Sequence, residues 1–300
     1  MPVCPACEAN DTVLFIPARW LPEKEPVFRC RTCGTAFFER REPEPDYWQA
    51  SGQDGAYAHP DVAAALRALH ANALDVVERH RPGKGRLLDV GCGDGAFLAV
   101  ARGRGWIAEG LDASEAGAAK AREQSGCKVL VGSIESAELE AGGYDVITMW
   151  DVIEHCPAPV ATLTRLSGWL KPGGLLAIRT PDEGSFFRWG ARALHRTTGG
   201  AAGHLLKYVY YHPHYVTFSA DGLSRLLGRT GFTPECVGRE ETPPAFARAK
   251  IEASYARFAG RRLLCAVLPA AYALGRIFGR NKLFALAGRN GPDGGLGGAK

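Results

Sequence analysis

From residue 85 onward, short apolar runs alternate with longer stretches whose apolar positions recur at helical spacing. That alternation predicts a parallel sheet covered by crossover helices. Strands are expected at Arg86–Val90, Ile107–Leu111, Lys128–Val131, Tyr144–Trp150 and Leu175–Arg179, with helices at Ala96–Arg104, Glu115–Gln124 and Val160–Leu170. Lys171-Pro172-Gly173-Gly174 closes the last of these helices and turns the chain into the fifth strand. Ser219 suits a helix N-cap with Asp221 in the first turn, and Gly231 ends that helix before a sixth strand around Glu235–Gly238. A final strand is placed at Leu283–Ala287. Upstream, Val62, Leu66, Leu69, Leu74 and Val77 mark a helix from Asp61 to His80, stopped by Pro82-Gly83. It either packs on the sheet or caps a site.

The charged, proline-rich run Arg40-Arg41-Glu42-Pro43-Glu44-Pro45-Asp46 reads as a linker. The chain then divides into an N-terminal segment 1–42, a linker and helical cap 43–84, a main domain 85–290 and a glycine-rich tail 291–300. An aromatic- and histidine-rich insertion, 181–215, and a basic helical insert, 243–280, interrupt the main domain. The net charge of +4 over 300 residues does not by itself argue for nucleic acid. Met-Pro-Val-Cys-Pro-Ala-Cys lacks a basic segment followed by an apolar run, and Leu263 to Leu274 is too short to span a bilayer, so a cytoplasmic protein without a transmembrane segment is expected.

In that reducing compartment the nine cysteines are expected as thiols or metal ligands. Cys4-x-x-Cys7 and Cys30-x-x-Cys33 each wrap two thiolates around one ion, which predicts a tetrahedral, structural Zn2+ ribbon; unligated redox motifs are the competing reading. Cys92, Cys127, Cys156, Cys236 and Cys265 are scattered and read as packed thiols.

The chemistry concentrates in Leu87-Leu88-Asp89-Val90-Gly91-Cys92-Gly93-Asp94-Gly95-Ala96-Phe97, a strand running through a glycine turn into a helix. Glycines at 91, 93 and 95 let backbone approach a ligand. A pyrophosphate on this turn would be repelled by Asp89, whereas S-adenosylmethionine offers a sulfonium and an ammonium that an acid attracts. Asp112, at the end of the second strand, can accept from both ribose hydroxyls. Dinucleotide enzymes share that geometry, and Gly91-x-Gly93-x-x-Ala96 satisfies their loose fingerprint, so an NAD-type oxidoreductase stays open at this point.

These segments, with Leu111-Asp112, Tyr144-Asp145-Val146-Ile147, Asp151-Val152-Ile153-Glu154-His155, Leu170-Lys171-Pro172-Gly173-Gly174, His214-x-x-x-Phe218-Ser219 and Gly231-Phe232, resemble class I S-adenosylmethionine-dependent methyltransferases. The branch most resembled includes ubiquinone-biosynthesis O-methyltransferases and sugar and small-molecule methyltransferases. The resemblance spans about 85 to 240 and implies a Rossmann-like α/β fold, a seven-stranded sheet with helices on both faces, whose seventh strand is antiparallel. It implies that Asp89 with Gly91, Cys92, Gly93 and Gly95 holds the methionine part, Asp112 with Ala113 the ribose, and Ser133 with Ile134 the adenine. Trp150 and Asp151 would flank the cofactor, and Asp145 at the opposite strand end would be structural.

An oxygen nucleophile needs a base, and imidazole titrates near neutral pH, so His155 is the first candidate and His214 the second. Either could instead shape the pocket: His155 at a helix start, His214 amid Tyr210, Tyr211, His212 and Tyr215. His59, His70, His80 and His195 read as solvated or packed. Between Ala245 and Lys282 basic residues alternate with large apolar ones, which suits either a solvated face packed on the last strand or peripheral contact with an anionic membrane. The expectation is a methyltransferase that needs no catalytic metal and acts at oxygen on a small acceptor, with sugar- and lipid-linked molecules among the candidates. An RNA methyltransferase using ribbon and basic tail ranks lower, as does an inactive cofactor-binding module.

Overall fold

A computed structural model describes residues 1–21, 25–39, 60–198, 206, 209–210, 214–254 and 261–291. The chain opens with three short antiparallel strands, β1 (Thr12–Ile16), β2 (Val27–Cys30) and β3 (Ala36–Phe38), which bring the two cysteine pairs together. Helix α1 (Pro60–His80) buries Val62, Ala73, Leu74 and Val77, as its spacing requires. Then follow β4 (Arg86–Val90), α2 (Ala96–Gly103), β5 (Ile107–Asp112), α3 (Glu115–Ser125), β6 (Lys128–Val131), β7 (Tyr144–Trp150), α4 (Pro159–Trp169) and β8 (Leu170–Pro181). The remainder is α5 (Phe186–Thr197), β9 (Val216–Thr217), α6 (Ala220–Arg229), β10 (Phe232–Glu240), α7 (Pro244–Ser254), α8 (Arg261–Phe278) and β11 (Lys282–Arg289).

Seven strands form one sheet in the order β10-β11-β8-β7-β4-β5-β6, parallel from β8 to β6, with β11 inserted antiparallel to both β8 and β10. Helices cover both faces. Leu88, Val90, Ile147, Met149, Ile178 and Leu283 are buried on the face that holds α4 and α6. Leu87, Val146, Ala177, Phe284 and Leu286 are buried on the opposite face with α1, α2 and α3. The period-two alternation of each strand therefore feeds two cores.

Local signals end the helices as expected. Ser114 and Ser219 cap α3 and α6 by accepting from the backbone N–H of Gly117 and Gly222, and α3 stops at Gly126 with φ +63°. Three features differ from expectation. Leu170 already pairs with Tyr144, so the Lys171–Gly174 turn becomes an irregular start of β8. Among the described residues the basic insert makes its main contacts away from the last strand: α7 lies against α1, and α8 against α7 and α5. Cys236 is exposed, while Cys92 and Cys156 are buried thiols. The 40–46 linker, His59, Tyr211, His212 and the tail from 292 lie outside the described residues. No helix among the described residues is long and apolar enough to cross a membrane.

The fourth strand of the N-terminal sheet comes from far along the chain: β9 pairs with β3, Ala36 opposite Thr217 and Phe37 opposite Val216. Cys4, Cys30, Cys33, Phe28 and Phe37 share one buried cluster with Leu88, Val90, Tyr215, Val216 and Phe218. The Ser219 hydroxyl also donates to the Cys33 carbonyl, and Arg229 pairs with Glu8.

Candidate active site

β4 ends by feeding the glycine turn, where Gly91 N–H donates to the Leu111 carbonyl at 2.7 Å and ties the turn to β5. Gly91 and Gly95 are needed for space as well as for positive φ: a Cβ at 91 would meet Val152 at 2.5 Å, and one at 95 the Ala121 backbone at 2.8 Å. Gly93, at φ +53°, has nothing within 4 Å of its Cβ position, which leaves the backbone open to a ligand. The Asp112 carboxylate locks the turn by accepting from Gly93 N–H and Ser114 N–H, each at 2.8 Å. Burial nevertheless raises its pKa. Each of its oxygens retains acceptor capacity for a hydroxyl. Ala113 lies between it and the Ser114 cap. Cys92 directs its thiol into the core against Gly110, so only its backbone faces the turn.

Asp89 is 1% exposed and receives the Thr148 hydroxyl at 2.6 Å. Burial pushes it up to about 8, Asp112 adds to the rise, and Thr148 and Arg179 oppose it. A buried acid without a contacting counterion gains most when a cation arrives beside it. Together with the open Gly93 cradle and Asp112, this fits a ligand with a cationic end and a ribose. After β6, Ser133 is locked in a turn, its N–H and hydroxyl bonded to the Ser136 hydroxyl at 3.2 Å, and Ile134 packs half-buried on the core.

At the end of β7, Trp150 is directed toward α1. Its ring packs on Phe97 and His70 and stacks on Phe284, with the Arg179 guanidinium 5.2 Å from its centroid. Asp151 adopts φ +59°, unusual for a residue with a side chain, and pairs with Lys282 at 2.5 Å and Arg179 at 3.7 Å. Burial works to raise its pKa, but Lys282, Arg179 and His155 outweigh it and hold the carboxylate low. His70 is pushed down to about 3 by burial and by Arg179, so it is neutral and no base.

On the other face, a single 3-10 turn, Ile153–His155, presents Glu154 and His155. Glu154 is fully buried and accepts the Thr180 hydroxyl at 2.8 Å; burial, then Asp151, push it up to about 7. The His155 and His214 rings meet edge to face with centroids 4.6 Å apart. A Glu154 oxygen and one nitrogen of each histidine all lie within 4.8 Å of one another. Such a cluster can pass a proton, and its spacing also suits a divalent cation. Asp145 lies at the far end of β7, bonded to Arg81, Lys171 and the Arg86 N–H.

The fold thus brings His155 and His214, two separate candidates in the sequence, together from distant segments, and adds Thr148, Glu154, Arg179, Thr180, His70 and Lys282, which the sequence does not single out. Arg179 carried a signal, a charge within the apolar run of β8. Glu154 lay inside a motif but had no role assigned from it.

The four N-terminal thiols converge with Cys4 Sγ 3.7 Å from Cys33 Sγ and Cys7 Sγ 3.6 Å from Cys30 Sγ, all four within 4.8 Å. A Zn–S bond of about 2.3 Å requires tetrahedral edges of about 3.8 Å, so this donor set fits the ion.

Residues 57–237 match the family model described as a methyltransferase domain. A ubiquinone biosynthesis O-methyltransferase of Saccharophagus degradans is 35% identical over 121 residues, 38% of this chain and 50% of that protein. The corresponding protein of Marinobacter nauticus is 34% identical over 123 residues, 38% of this chain and 51% of its own length. The chain therefore spans about half the length of these relatives. Among solved structures, geranyl diphosphate methyltransferase in complex with SAM superposes with TM-score 0.52 at 17% identity, covering 82% of this chain and 96% of that one. Haemonchus contortus phosphoethanolamine N-methyltransferase 2 gives 0.50 at 21% identity, covering 73% and 52%. These likenesses show the fold: a class I methyltransferase sheet.

Proposed function

The chain belongs to the methyltransferase-domain family, and from that premise we propose that it transfers a methyl group from S-adenosylmethionine to an oxygen of a small-molecule acceptor. The observation that carries this reading is the buried Asp89 beside the open Gly93 backbone, with Asp112 fixed on the neighbouring strand. When bound, the cofactor supplies a methyl group already activated on a sulfonium. Asp89 would hold its ammonium, Asp112 and Ala113 its ribose, Ser133 and Ile134 its adenine, and the backbone of Gly91, Cys92, Gly93 and Gly95 would line its methionine end. Trp150 and Asp151 shape the floor, with Arg179 and Lys282 keeping Asp151 in place.

His155 takes the proton from the acceptor hydroxyl, and His214 and Glu154 orient its ring and stabilise the charge it gains. Holding acceptor oxygen and methyl carbon in line supplies several kcal/mol of the barrier reduction. The transfer proceeds without a catalytic metal, and Zn2+ on Cys4, Cys7, Cys30 and Cys33 is structural.

Tritium-labelled methyl transfer to a panel of acceptors, with a ubiquinone-pathway acceptor first, tests the reaction. Label in a small hydroxylated molecule is expected, with turnover unchanged by brief EDTA that leaves the ribbon loaded. Retention of a dinucleotide, label only in RNA, or no label with any acceptor would overturn it. Loss of turnover with the ribbon still loaded would instead assign a cation to Glu154, His155 and His214.

A further inference from the structure

We infer that the metal-loaded ribbon is a positioning device for the active site: it holds His214 against His155, so that metal loading governs methyl transfer rather than cofactor binding. The inference rests on the reading of His155 and His214 as transfer residues. His214 stands two positions before β9, a strand of only two residues. Among the described residues the only ladder of β9 is the one with β3. Two residues cannot hold a strand conformation by themselves. The conformation that brings His214 to the site is therefore templated by the ribbon.

The chain of contacts is short. Cys33 and β3 are separated by two residues, and the knuckle between them is closed by Gly34 N–H to the Cys30 carbonyl and Cys30 N–H to the Thr35 carbonyl, both at 2.9 Å. From β3, Phe38 N–H donates to the Tyr215 carbonyl at 3.0 Å, one residue from His214. The Cys33 carbonyl receives the Ser219 hydroxyl, so a candidate metal ligand is bonded directly to the cap of α6. Tyr215, Val216 and Phe218 are buried at 2% exposure or less, and β9 lies against the turn that carries His155. The ladder and its flanking bonds thus tie 215–217 and Ser219 to the ribbon, while the Phe218 carbonyl accepts from Glu183 N–H at 2.9 Å and anchors the far end of the stretch to the main domain.

The cofactor residues meet this device through core packing, in which Leu88 and Val90 share its buried cluster, and not through strand pairing. Asp89, the glycine turn and Asp112 are carried by β4 and β5, which share no ladder with β1, β2, β3 or β9. Loosening the ribbon should therefore displace His214 while leaving the cradle intact. A displacement of about 1 Å at a reacting group can cost roughly 100-fold in rate.

The experiment uses the full chain, with zinc stripped by a thiol-blocking mercurial plus chelator and then restored after excess dithiothreitol has displaced the mercurial. It reads zinc content, adenosylhomocysteine affinity by calorimetry, and the imidazole resonances of His155 and His214, assigned with single His→Gln variants. On zinc removal we expect affinity to stay within about two-fold, the His214 resonance to shift, and turnover to fall roughly 100-fold, all reversed by zinc. Thr217→Pro, which cannot donate to the ladder, leaves all four cysteines in place and is expected to retain zinc yet reproduce the shifted resonance and lost turnover. An unmoved His214 resonance in both samples overturns the inference, as does cofactor affinity lost in step with turnover, which would make the ribbon a folding element alone. If the intact protein methylates nothing, the proposed reaction fails, while the resonance still decides whether the ribbon positions His214.

Discussion

Asp89 shows how far burial moves a single carboxyl group. Its pKa of about 8 in the folded chain stands well above the ordinary carboxylate value, so its contribution to stability is fully present below about pH 4 and is lost as pH rises through 8. Asp89→Asn should therefore stabilise the unliganded protein by several kcal/mol at pH 8 and little at pH 4, while weakening adenosylhomocysteine binding at least ~10-fold. Thermal melts at both pH values and calorimetry check the two halves. His70 has the opposite sense: held at about 3, below its unfolded value, it stabilises the fold above pH 6.5, and that contribution is lost as pH falls from 6.5 toward 3. His70→Gln should flatten urea-unfolding stability between pH 7 and 5. Asp112→Ala should weaken cofactor binding strongly, and His155→Ala should cut turnover more than affinity; equal losses in both would remove His155 as base.

Among the elements, the glycine turn separates structural from ligand-facing positions. A methyl at Gly95 meets the α3 backbone at 2.8 Å, so Gly95→Ala is expected to cost at least about 2 kcal/mol of folding stability. A methyl at Gly93 meets nothing within 4 Å, so Gly93→Ala should fold, cost only the strain of its positive φ, of order 1 kcal/mol, and still lose cofactor affinity. Parallel melting and binding curves distinguish the two. Elements with strong periodicity or caps, such as β4, β5, β7, α3 and α6, were legible in the residues, because each carries its signal locally. β9 was not, since two residues carry no period and its partner lies about 180 positions away.

Across the whole molecule, α5 and α8 present an apolar, basic face. Leu263, Val267, Ile277, Phe278 and Trp189 are exposed, and Phe186 stacks on both Trp189 and Phe278. Beside them an open cavity of about 570 Å³ between α7 and α8 is lined by Arg248, Glu252, Arg261, Arg262 and Cys265. A face of this kind suits contact with an anionic membrane, the alternative to a solvated face that the sequence left open. Co-sedimentation with phosphatidylglycerol vesicles, but not phosphatidylcholine, is expected, and Ile277→Glu with Phe278→Glu should abolish it while leaving cofactor affinity unchanged.

What the residues by themselves determined was everything encoded within a few positions: the alternating strands and helices, the glycine turn led by Asp89, the acid ending β5, and the spacing of the cysteine pairs. Tertiary structure decided what depends on segments meeting. Only folding sets His155 of the 3-10 turn against His214, surrounds Asp151 with Arg179 and Lys282, and completes the cysteine-bearing sheet with β9. The physical reason is range. Backbone propensity and hydrophobic period act between near neighbours, whereas burial, electrostatic pairing and strand addition depend on distances that no local pattern specifies.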